Sequence, residues 1–407
     1  MTLVVQKYGG TSVADLDRIR NVAARVKRQV DAGDQVAVVV SAMAGSTNQL
    51  VNWVHGLDAA GYDTAEYDQV VASGEQVTVG LLAIALQTIG VPAQSFLGWQ
   101  AGFVTDTAYG KARILGVDPT PVRACLDAGK VAVVAGFQGL SADGRVTTLG
   151  RGGSDTSGVA LAAALQADRC DIFTDVDGVY TTDPRIVAKA RKLDRITYEE
   201  MLEMASLGAK VLQTRSVALA MQHRVRVQVL SSFEDLPGTL VVDEEEIVET
   251  QIVSGIAYSR DEARITVVGV NDRPGVAAGI FGPLAEHGIN VDMIVQSVSR
   301  DGVYANLTFT VSRADLPRAL AVLERAKGDI GYGELAADAD VCKVSVVGVG
   351  MRSHAGIAHQ MFATLAAKGI NIHAIATSEI KVSVLIGEEY TELALRALHS
   401  AYGLDKD

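Results

Sequence analysis

Two glycine-rich runs carry charged side chains that could bind anionic ligands. The first, Lys7–Ser12 (KYGGTS), follows an apolar stretch, and the second, Thr148–Asp155 (TLGRGGSD), precedes one. Glycines let backbone N–H groups approach an anion at a helix N-terminus, where the helix dipole also favours negative charge. Lys7 would add a positive charge suited to phosphoryl oxygens, and Arg151 a planar fork suited to a carboxylate. The plainer alternatives are a glycine turn with a solvated lysine and an ordinary helix cap.

Other motifs mainly exclude chemistry. Neither glycine run matches GxxxxGK[ST] or GxGxxG, so a P-loop and a dinucleotide fingerprint are both excluded. The stretch Asp171–Arg185 is dense in turn formers, but Gly178 is fourth from Asp175, whereas a calcium loop needs its glycine at the sixth position. A structural turn with Asx caps is the alternative there. Without HExxH, a Cys/His cluster or GxSxG, the sequence predicts no metal-ligating residues and no acyl transfer.

Length and charge restrict the class of protein further. A chain of 407 residues is long enough for two or three domains. Its net charge of −12, without a basic run, argues against a nucleic-acid partner. The distant cysteines Cys125, Cys170 and Cys342 fit reduced thiols in a cytoplasmic protein. The uncharged stretch 76–105 is interrupted by glutamines and a proline, which favours a buried helix and strand over a membrane span.

The first half of the chain alternates apolar strands with amphipathic helices. The predicted strands are Leu3–Val5, Gln35–Ser41, Val131–Phe137 and Asp171–Thr174. Continuous apolar strands of this kind are typical of a mostly parallel sheet covered on both faces by helices. Ligands of such sheets bind at the carboxyl ends of the strands. The charged strand ends near Lys7 and near Thr174 are therefore candidate sites in this α/β domain.

The second half contains an internal repeat. After an acidic stretch at 243–246, interpreted as a linker, residues 265–270 resemble 344–349, and Gly288–Asn290 recurs as Gly369–Asn371. Each copy predicts the order strand, turn, helix, strand, strand, helix. The predicted helices cover residues 276–287, 316–327, 357–368 and 391–402. Two small α+β units therefore follow the α/β domain.

Together these segments resemble the aspartate kinase family of the amino-acid kinase superfamily. The resemblance depends on the order and combination of motifs, because any one alone is weak. The motifs are Lys7–Ser12, Ser41–Met43, Ser73–Glu75, Gly136–Gly139, Thr148–Asp155 and Thr174–Arg185. It covers nearly the whole chain and implies the monofunctional form. The implied fold is an α/β amino-acid-kinase three-layer domain with a mostly parallel central sheet at 1–245, followed by two α+β ACT (ferredoxin-like) domains at 252–335 and 341–407.

The resemblance implies an activity and a set of site residues. The reaction would transfer the γ-phosphoryl group of ATP, with Mg²⁺, to the β-carboxylate of L-aspartate, as the first step of lysine, threonine and methionine biosynthesis. The implied catalytic residues are Lys7 and Asp155. The implied substrate residues are Ser41, Thr47, Glu75, Arg151, Gly152, Gly153 and Ser154, with Arg151 at the α-carboxylate and Glu75 near the ammonium. The implied nucleotide residues are Lys7, Tyr8, Gly9, Gly10, Thr174, Asp175, Tyr180, Asp183, Pro184, Arg185 and Lys210.

The resemblance also implies feedback inhibition by lysine, threonine or both through the ACT pair. The implied effector residues are Asp272, Pro274, Gly275, Asn290, Asp292, Gln296, Asn371 and Ile372, the last two completing a partner subunit's site. The first turn of the second copy lacks the Asp and the Pro, which puts an equivalent second pocket in doubt. The chain would form a homo-oligomer through its ACT domains or a hetero-oligomer with a tail-only subunit.

Three alternatives stay open on the sequence. The repeat could serve dimerisation without sensing. The enzyme could be another amino-acid kinase of the same fold, such as an N-acetylglutamate or glutamate kinase, although Arg151 and Glu75 in their motifs favour aspartate. The chain could also be a non-catalytic amino-acid sensor, which would have no need of Lys7, Asp155 and Lys210 together.

Overall fold

The chain folds into two compact units. The computed structural model describes residues 2–57, 61–208, 211–247, 252–300, 302–349, 351, 354 and 356–406. Unit one comprises Met1–Val179, Lys192–Ser206 and Lys210–Val248, and unit two comprises Tyr180–Arg191, Leu207–Ala209 and Glu249–Asp407. The three cysteines are free and buried, in agreement with the prediction of reduced thiols.

Unit one contains twelve strands and eight α-helices among the described residues. Its strands are β1 (Leu3–Tyr8), β2 (Gln35–Val40), β3 (Ala93–Phe96), β4 (Phe103–Thr105), β5 (Ile114–Val117), β6 (Val131–Ala135), β7 (Gln138–Ser141), β8 (Val146–Thr148), β9 (Arg169–Thr174), β10 (Arg195–Thr197), β11 (Val227–Ser231) and β12 (Thr239–Val242). Its helices are α1 (Leu16–Asp31), α2 (Ser46–Leu57), α3 (Thr64–Val71), α4 (Ser73–Thr88), α5 (Thr120–Asp127), α6 (Gly153–Leu165), α7 (Tyr198–Ser206) and α8 (Thr214–His223).

The main sheet of unit one is mostly parallel, as the sequence predicts. Its eight strands lie in the order β10-β12-β11-β9-β1-β2-β6-β3, and only the β11–β12 pair is antiparallel. The central strands are buried on both faces, which explains their unbroken runs of valine. A second, four-stranded sheet has the order β5-β4-β7-β8.

One long apolar helical stretch of unit one has a buried face. Helices α3 and α4 follow each other over Thr64–Thr88, which is long and apolar enough to cross a membrane by length and composition alone. Its residues Val79, Leu82 and Leu86 are each at most 2 % exposed and pack in the core with strands of the main sheet. This face of the stretch is therefore that of a core helix, while the absence of a membrane partner stays a prediction.

Unit two is built on one six-stranded sheet. Its strands are β13 (Gly255–Asn271), β14 (Asp292–Val298), β15 (Tyr304–Val311), β16 (Glu334–Val347), β17 (Ala374–Thr377) and β18 (Lys381–Gly387), in the order β14-β15-β13-β16-β18-β17. Its helices are α9 (Val276–Glu286), α10 (Leu316–Arg325), α11 (Lys327–Ile330), α12 (Ile357–Ala367) and α13 (Thr391–Ala401). The four predicted helices of the repeat are confirmed, and each ends one or two residues before its predicted end.

The sheet shows how the two repeats share strands. The later part of β13 pairs with β15 and with the start of β16, which completes a ferredoxin-like sheet for the first repeat. The second repeat takes its fourth strand from Gly255–Ser259, which pairs with Lys343–Val347 and precedes the first repeat in the chain. Each repeat has its own apolar core. The fold class is confirmed, and the domain boundaries 1–245, 252–335 and 341–407 stay predictions.

Candidate active site

The carboxyl ends of four parallel strands meet at one edge of the main sheet. The Ser41 N–H donates to the Tyr8 carbonyl at 3.1 Å, which joins the ends of β2 and β1. The Gly136 N–H donates to the Val40 carbonyl at 3.0 Å, which joins β6 to β2. At β9, Phe173 is in register with Tyr8. The motifs that follow these strands are therefore brought together, as the parallel arrangement predicts.

A buried ion pair lies at this edge. The Lys7 Nζ is 2.5 Å from the Asp155 Oδ1, and both residues are 8 % exposed. Lys7 is the penultimate residue of β1, and Asp155 lies in the first turn of α6. The residue before α6 is Gly152, and no side chain caps the helix there. Asp155 thus pairs with a lysine, and the alternative of an ordinary helix cap is wrong for it.

The glycine turn after β1 differs from its prediction in one respect. Gly9 is followed by a short 3₁₀ turn, Gly10–Val13, and α1 begins only at Leu16, where the Asp15 carboxylate accepts a hydrogen bond from a backbone N–H of the first turn. The N-terminus of α1 is therefore capped by a carboxylate rather than presented by the glycines. The Tyr8 ring is fully buried and stacks on Phe173 at 4.6 Å. Only the backbone of Tyr8 can serve a ligand.

Glu75 is a buried carboxylate at the same edge. It is 2 % exposed in the first turn of α4, and its Oε1 accepts a hydrogen bond from the Ala42 N–H at 2.9 Å. A Cβ on Gly74 would come within 2.7 Å of the Ala42 Cβ, so glycine is needed for this approach. Burial raises the pKa of Glu75 to about 7. Its Oε2 has no hydrogen-bond partner among the described residues, which leaves it available to a cationic group.

The remaining predicted substrate residues lie on three neighbouring segments. Arg151 is exposed on the turn before α6, between Gly150 and Gly152, which both have positive φ angles. Ser154 is buried against Gly136, where a Cβ would come within 2.9 Å of the Ser154 Cβ. The other three are the half-buried Ser41 and Thr47 and the buried Gly153. Among the described residues, the structure thus places an exposed cation, an unpartnered carboxylate oxygen and a buried ion pair on segments that contact the ends of β1, β2 and β6.

The predicted nucleotide motif is divided between the two units. Thr174 ends β9 in unit one and Asp175 follows it, and the Thr174 Oγ1 donates to the Asp175 Oδ1 at 3.1 Å. The remaining described members, Tyr180, Asp183, Pro184 and Arg185, belong to unit two. Lys210 lies outside the described residues.

Within unit two, Asp183 is tied to other side chains. It accepts a hydrogen bond from the Tyr258 hydroxyl at 3.2 Å and pairs with the Arg185 guanidinium at 2.8 Å. The hydrogen bonds and the charge of Arg185 hold the pKa of Asp183 below its usual value. Asp183 is therefore an ionised acceptor.

The predicted effector residues are only partly brought together. The Gln296 Nε2 donates to the Asp272 Oδ1 at 3.3 Å beside the exposed turn that holds Pro274 and Gly275. Asp292 is held elsewhere, because the Lys343 Nζ donates to its Oδ2 at 2.8 Å. The other members, Asn290, Asn371 and Ile372, are exposed or half-buried.

Sequence reasoning missed three residues around the candidate active site at Lys7 and Arg151. Gly158, inside α6, allows Lys7 to lie against the helix, since a Cβ there would be 3.1 Å from the Lys7 Cβ. A glycine inside an apolar helical run is the signal that could have found it. Asp68 and Arg215 make long-range bonds to the segments beside Arg151 and have no local signal.

Comparisons with known proteins agree with this geometry. The family model described as "Amino acid kinase family" matches residues 2–231, and two models described as "ACT domain" match 264–328 and 344–402. An aspartokinase from Pseudomonas aeruginosa is 56 % identical over 407 residues, which cover all of this chain and 98 % of that protein.

Solved structures are similar over nearly the whole chain. The crystal structure of E. coli aspartokinase III in complex with aspartate and ADP (R-state) has a TM-score of 0.82 and 29 % identity, covering 98 % of this chain and 99 % of that one. The same enzyme in complex with lysine and aspartate (T-state) has a TM-score of 0.78, with the same identity and coverage. The chain therefore belongs to the aspartokinase family, the amino acid kinases that carry ACT domains, and is a phosphotransferase.

Proposed function

We propose that the protein transfers the γ-phosphoryl group of ATP to the β-carboxylate of L-aspartate and releases 4-phospho-L-aspartate and ADP. The buried Lys7–Asp155 pair carries this proposal. A carboxylate is already nucleophilic, so the reaction needs no strong base, but two anions must be held together while charge moves onto ADP. A preorganised ammonium at a water-poor strand end stabilises that charge, with Lys7 at the phosphoryl oxygens and Asp155 fixing its position.

The aspartate would be held through both of its other charged groups. Arg151 would bind the α-carboxylate as a two-point fork, and the free Oε2 of Glu75 would accept the ammonium. The ammonium lowers the pKa of Glu75 when it binds, because it favours the ionised carboxylate. The backbone of Gly152–Gly153 and the hydroxyls of Ser41, Thr47 and Ser154 would orient the substrate.

The nucleotide would be bound by the glycine turn and the divided motif. Gly10 would offer a backbone N–H group, whereas the Gly9 N–H donates to the Phe173 carbonyl at 3.3 Å and would have to exchange that bond. The other proposed nucleotide residues are Thr174, Asp175, Tyr180, Asp183, Pro184, Arg185 and Lys210. No group of three potential metal ligands exists among the described residues. This fits Mg²⁺ that is bound mainly by nucleotide phosphates and water, with Asp155 as the buried carboxylate at this edge. When bound, the ion neutralises phosphate charge.

The second proposed role is feedback inhibition by lysine, threonine or both. E. coli aspartokinase III has been crystallised with lysine, and the Asp272–Gln296 pair beside the α9 turn offers polar groups for an amino acid. The edge strand β14 exposes Ile294 and Val298, each about half exposed, which supports oligomers formed through the ACT sheets or with a tail-only subunit. In this role the protein would begin lysine, threonine and methionine synthesis in the cytoplasm.

The test is ADP release from Mg-ATP with L-aspartate, measured with and without lysine and threonine. Hydroxylamine in the assay traps an acyl phosphate as its hydroxamate. We expect aspartate-dependent hydroxamate, suppressed by at least one of the two amino acids. Turnover with glutamate or N-acetylglutamate instead of aspartate would overturn the substrate, and turnover insensitive to both amino acids would overturn the feedback role.

A further inference from the structure

Asp68 is a fully buried carboxylate with a saturated set of donors. It lies on α3 and is 0 % exposed. Both of its oxygens accept from the Gly110 N–H at 2.9 Å, the Oδ2 also accepts from the Thr148 N–H at 2.8 Å, and the Oδ1 accepts from the Thr148 hydroxyl at 2.5 Å. Burial raises the pKa of Asp68, and the hydrogen bonds from Thr148 and Gly110 act against that rise. The carboxylate accepts all four of these bonds and so joins two distant segments.

Arg215 joins the same two segments through their carbonyl groups. It lies on α8, and its Nη1 donates to the Leu149 carbonyl at 3.0 Å while its Nη2 donates to the Ala112 carbonyl at 2.8 Å. A planar guanidinium can hold two carbonyls at once, which a lysine ammonium does less well. Asp68 on α3 thus binds N–H groups of the two segments, at Gly110 and Thr148. Arg215 on α8 binds carbonyl groups of the same two segments.

These two segments form the base of the turn that carries Arg151. The Ala112 N–H donates to the Thr148 carbonyl at 2.9 Å, and a Cβ on Gly150 would come within 3.2 Å of the Gly110 carbonyl oxygen. The chain continues from Leu149 directly into the turn. Gln213 packs on the other side, since a Cβ on Gly152 would overlap its side chain. The backbone of the turn is fixed, while the side chain of Arg151 stays exposed.

We propose that Asp68 and Arg215 are positioning residues for aspartate binding, which act by fixing the backbone from which Arg151 reaches the α-carboxylate. This inference rests on the proposed function of Arg151. A long arginine binds a carboxylate in one geometry only if its backbone is held, because the side chain itself has many rotamers. Neither residue touches aspartate, so their loss weakens its binding without removing any contact to the phosphoryl group.

The first test is Asp68→Asn, which keeps the shape but turns an amide NH₂ toward an N–H donor. We expect the KM for aspartate to rise about tenfold or more, while kcat and the KM for ATP change less than about twofold. Arg215→Lys, at a half-buried site, is a milder second variant with the same expected direction. The matched control is Glu200→Gln, which removes a carboxylate that is 4 % exposed and accepts hydrogen bonds from Thr197.

A double-mutant cycle with Arg151→Ala separates positioning from general loss of stability. If Asp68 acts through Arg151, Asp68→Asn raises the KM for aspartate much less in the Arg151→Ala background than in the wild type. Thermal unfolding of every variant, with kinetics referred to the folded fraction, removes the effect of misfolding.

The outcomes distinguish this inference from the function on which it rests. An Arg151→Ala enzyme with an unchanged KM for aspartate would overturn the role of Arg151 itself. A raised KM in Arg151→Ala with an unchanged KM in both folded positioning variants would overturn only the inference. Additive effects in the cycle, or an equal rise in Glu200→Gln, would also overturn it.

Discussion

Two lysines are buried in the part of the chain that the structure describes, and they differ in their partners. Lys7, in unit one, is 8 % exposed and has one carboxylate, Asp155, at 2.5 Å. Lys343, in unit two, is 5 % exposed and has two, Glu262 at 2.6 Å and Asp292 at 2.8 Å. These carboxylates raise the pKa of Lys343 against the effect of its burial, so this lysine stays charged.

The difference separates a charge that can do chemistry from a charge that holds the fold. Lys7 lies at a strand end beside a glycine turn, on the same edge as the unpartnered oxygen of Glu75. An ammonium with a single partner can still bind an incoming anion. Lys343 lies inside β16 and connects β13 to β14 through its two carboxylates. Its charge is already balanced, which predicts a structural role.

The largest expected effect is the loss of turnover in Lys7→Ala. Removal of one preorganised donor from a phosphoryl or oxyanion site costs about 3–4 kcal/mol in the barrier, so kcat should fall by two to three orders of magnitude, roughly. The free energy of unfolding should fall as well, because the buried Asp155 loses its cation, so kcat is referred to the folded fraction. The measurement is steady-state kinetics together with urea unfolding. Near-normal kcat would exclude Lys7 from the chemistry and break the comparison.

Lys343→Met should instead affect stability alone. It leaves Glu262 buried without its cation, and breaking such a pair costs about 3 kcal/mol of unfolding free energy. Kinetics without effectors should be unchanged. The control is the double variant Lys343→Met with Glu262→Gln, which should recover part of the stability by removing the orphaned charge. A stable Lys343→Met protein with altered turnover would show that Lys343 is not a structural counterpart of Lys7.

The comparison also shows what the sequence could predict. Lys7, Asp155 and Glu75 lie in motifs next to strand ends or helix starts, and parallel strands bring such positions to one edge. The helices of the repeat follow from apolar periodicity, which is a local property. Both kinds of signal lie within a few residues of the element that they predict. The helices and the shared edge are confirmed by the fold, while the roles of Lys7, Asp155 and Glu75 stay predictions.

The parts that were missed depend on contacts between distant residues. Asp68 has the sequence context of an ordinary helical carboxylate, yet its partners lie 42 and 80 residues away. Asp292 is predicted as an effector residue on the strand facing the first turn, and that role stays a prediction. Its contact with Lys343, 51 residues away, has no local signal in the sequence. Burial of a polar side chain is decided by such long-range partners, which no local pattern encodes.

A smaller effect, on pH dependence, tests the unpartnered carboxylate of Glu75. Only the ionised form can accept the substrate ammonium, and the pKa in the free enzyme is raised to about 7 by burial. The kcat/KM for aspartate should therefore fall about tenfold for each pH unit below 7 and level off above it. In Glu75→Gln this break should disappear, because the amide does not titrate.

The effect of Glu75 on protein stability changes with pH in the opposite direction to its effect on kcat/KM, which gives an independent check. A carboxyl whose pKa is raised on folding stabilises the protein below its unfolded value, near 4.5, and this contribution is lost as the pH rises through about 7. Glu75→Gln should thus gain stability relative to the wild type at pH 8 but not at pH 4.5. If the break in kcat/KM near pH 7 is unchanged in Glu75→Gln, a group other than Glu75 causes it.

The smallest effect concerns the hydrogen bond from Tyr258 to Asp183 in unit two. Tyr258→Phe removes a single hydroxyl from an ionised acceptor, which costs about 1 kcal/mol and corresponds to roughly a fivefold rise in the KM for ATP. The KM for aspartate should not change, since its predicted ligands lie in unit one. Tyr402→Phe is the matched control, because its hydroxyl donates to the Ile357 carbonyl at 2.7 Å in the same unit. Equal KM values for ATP in the two variants would exclude Asp183 from nucleotide binding.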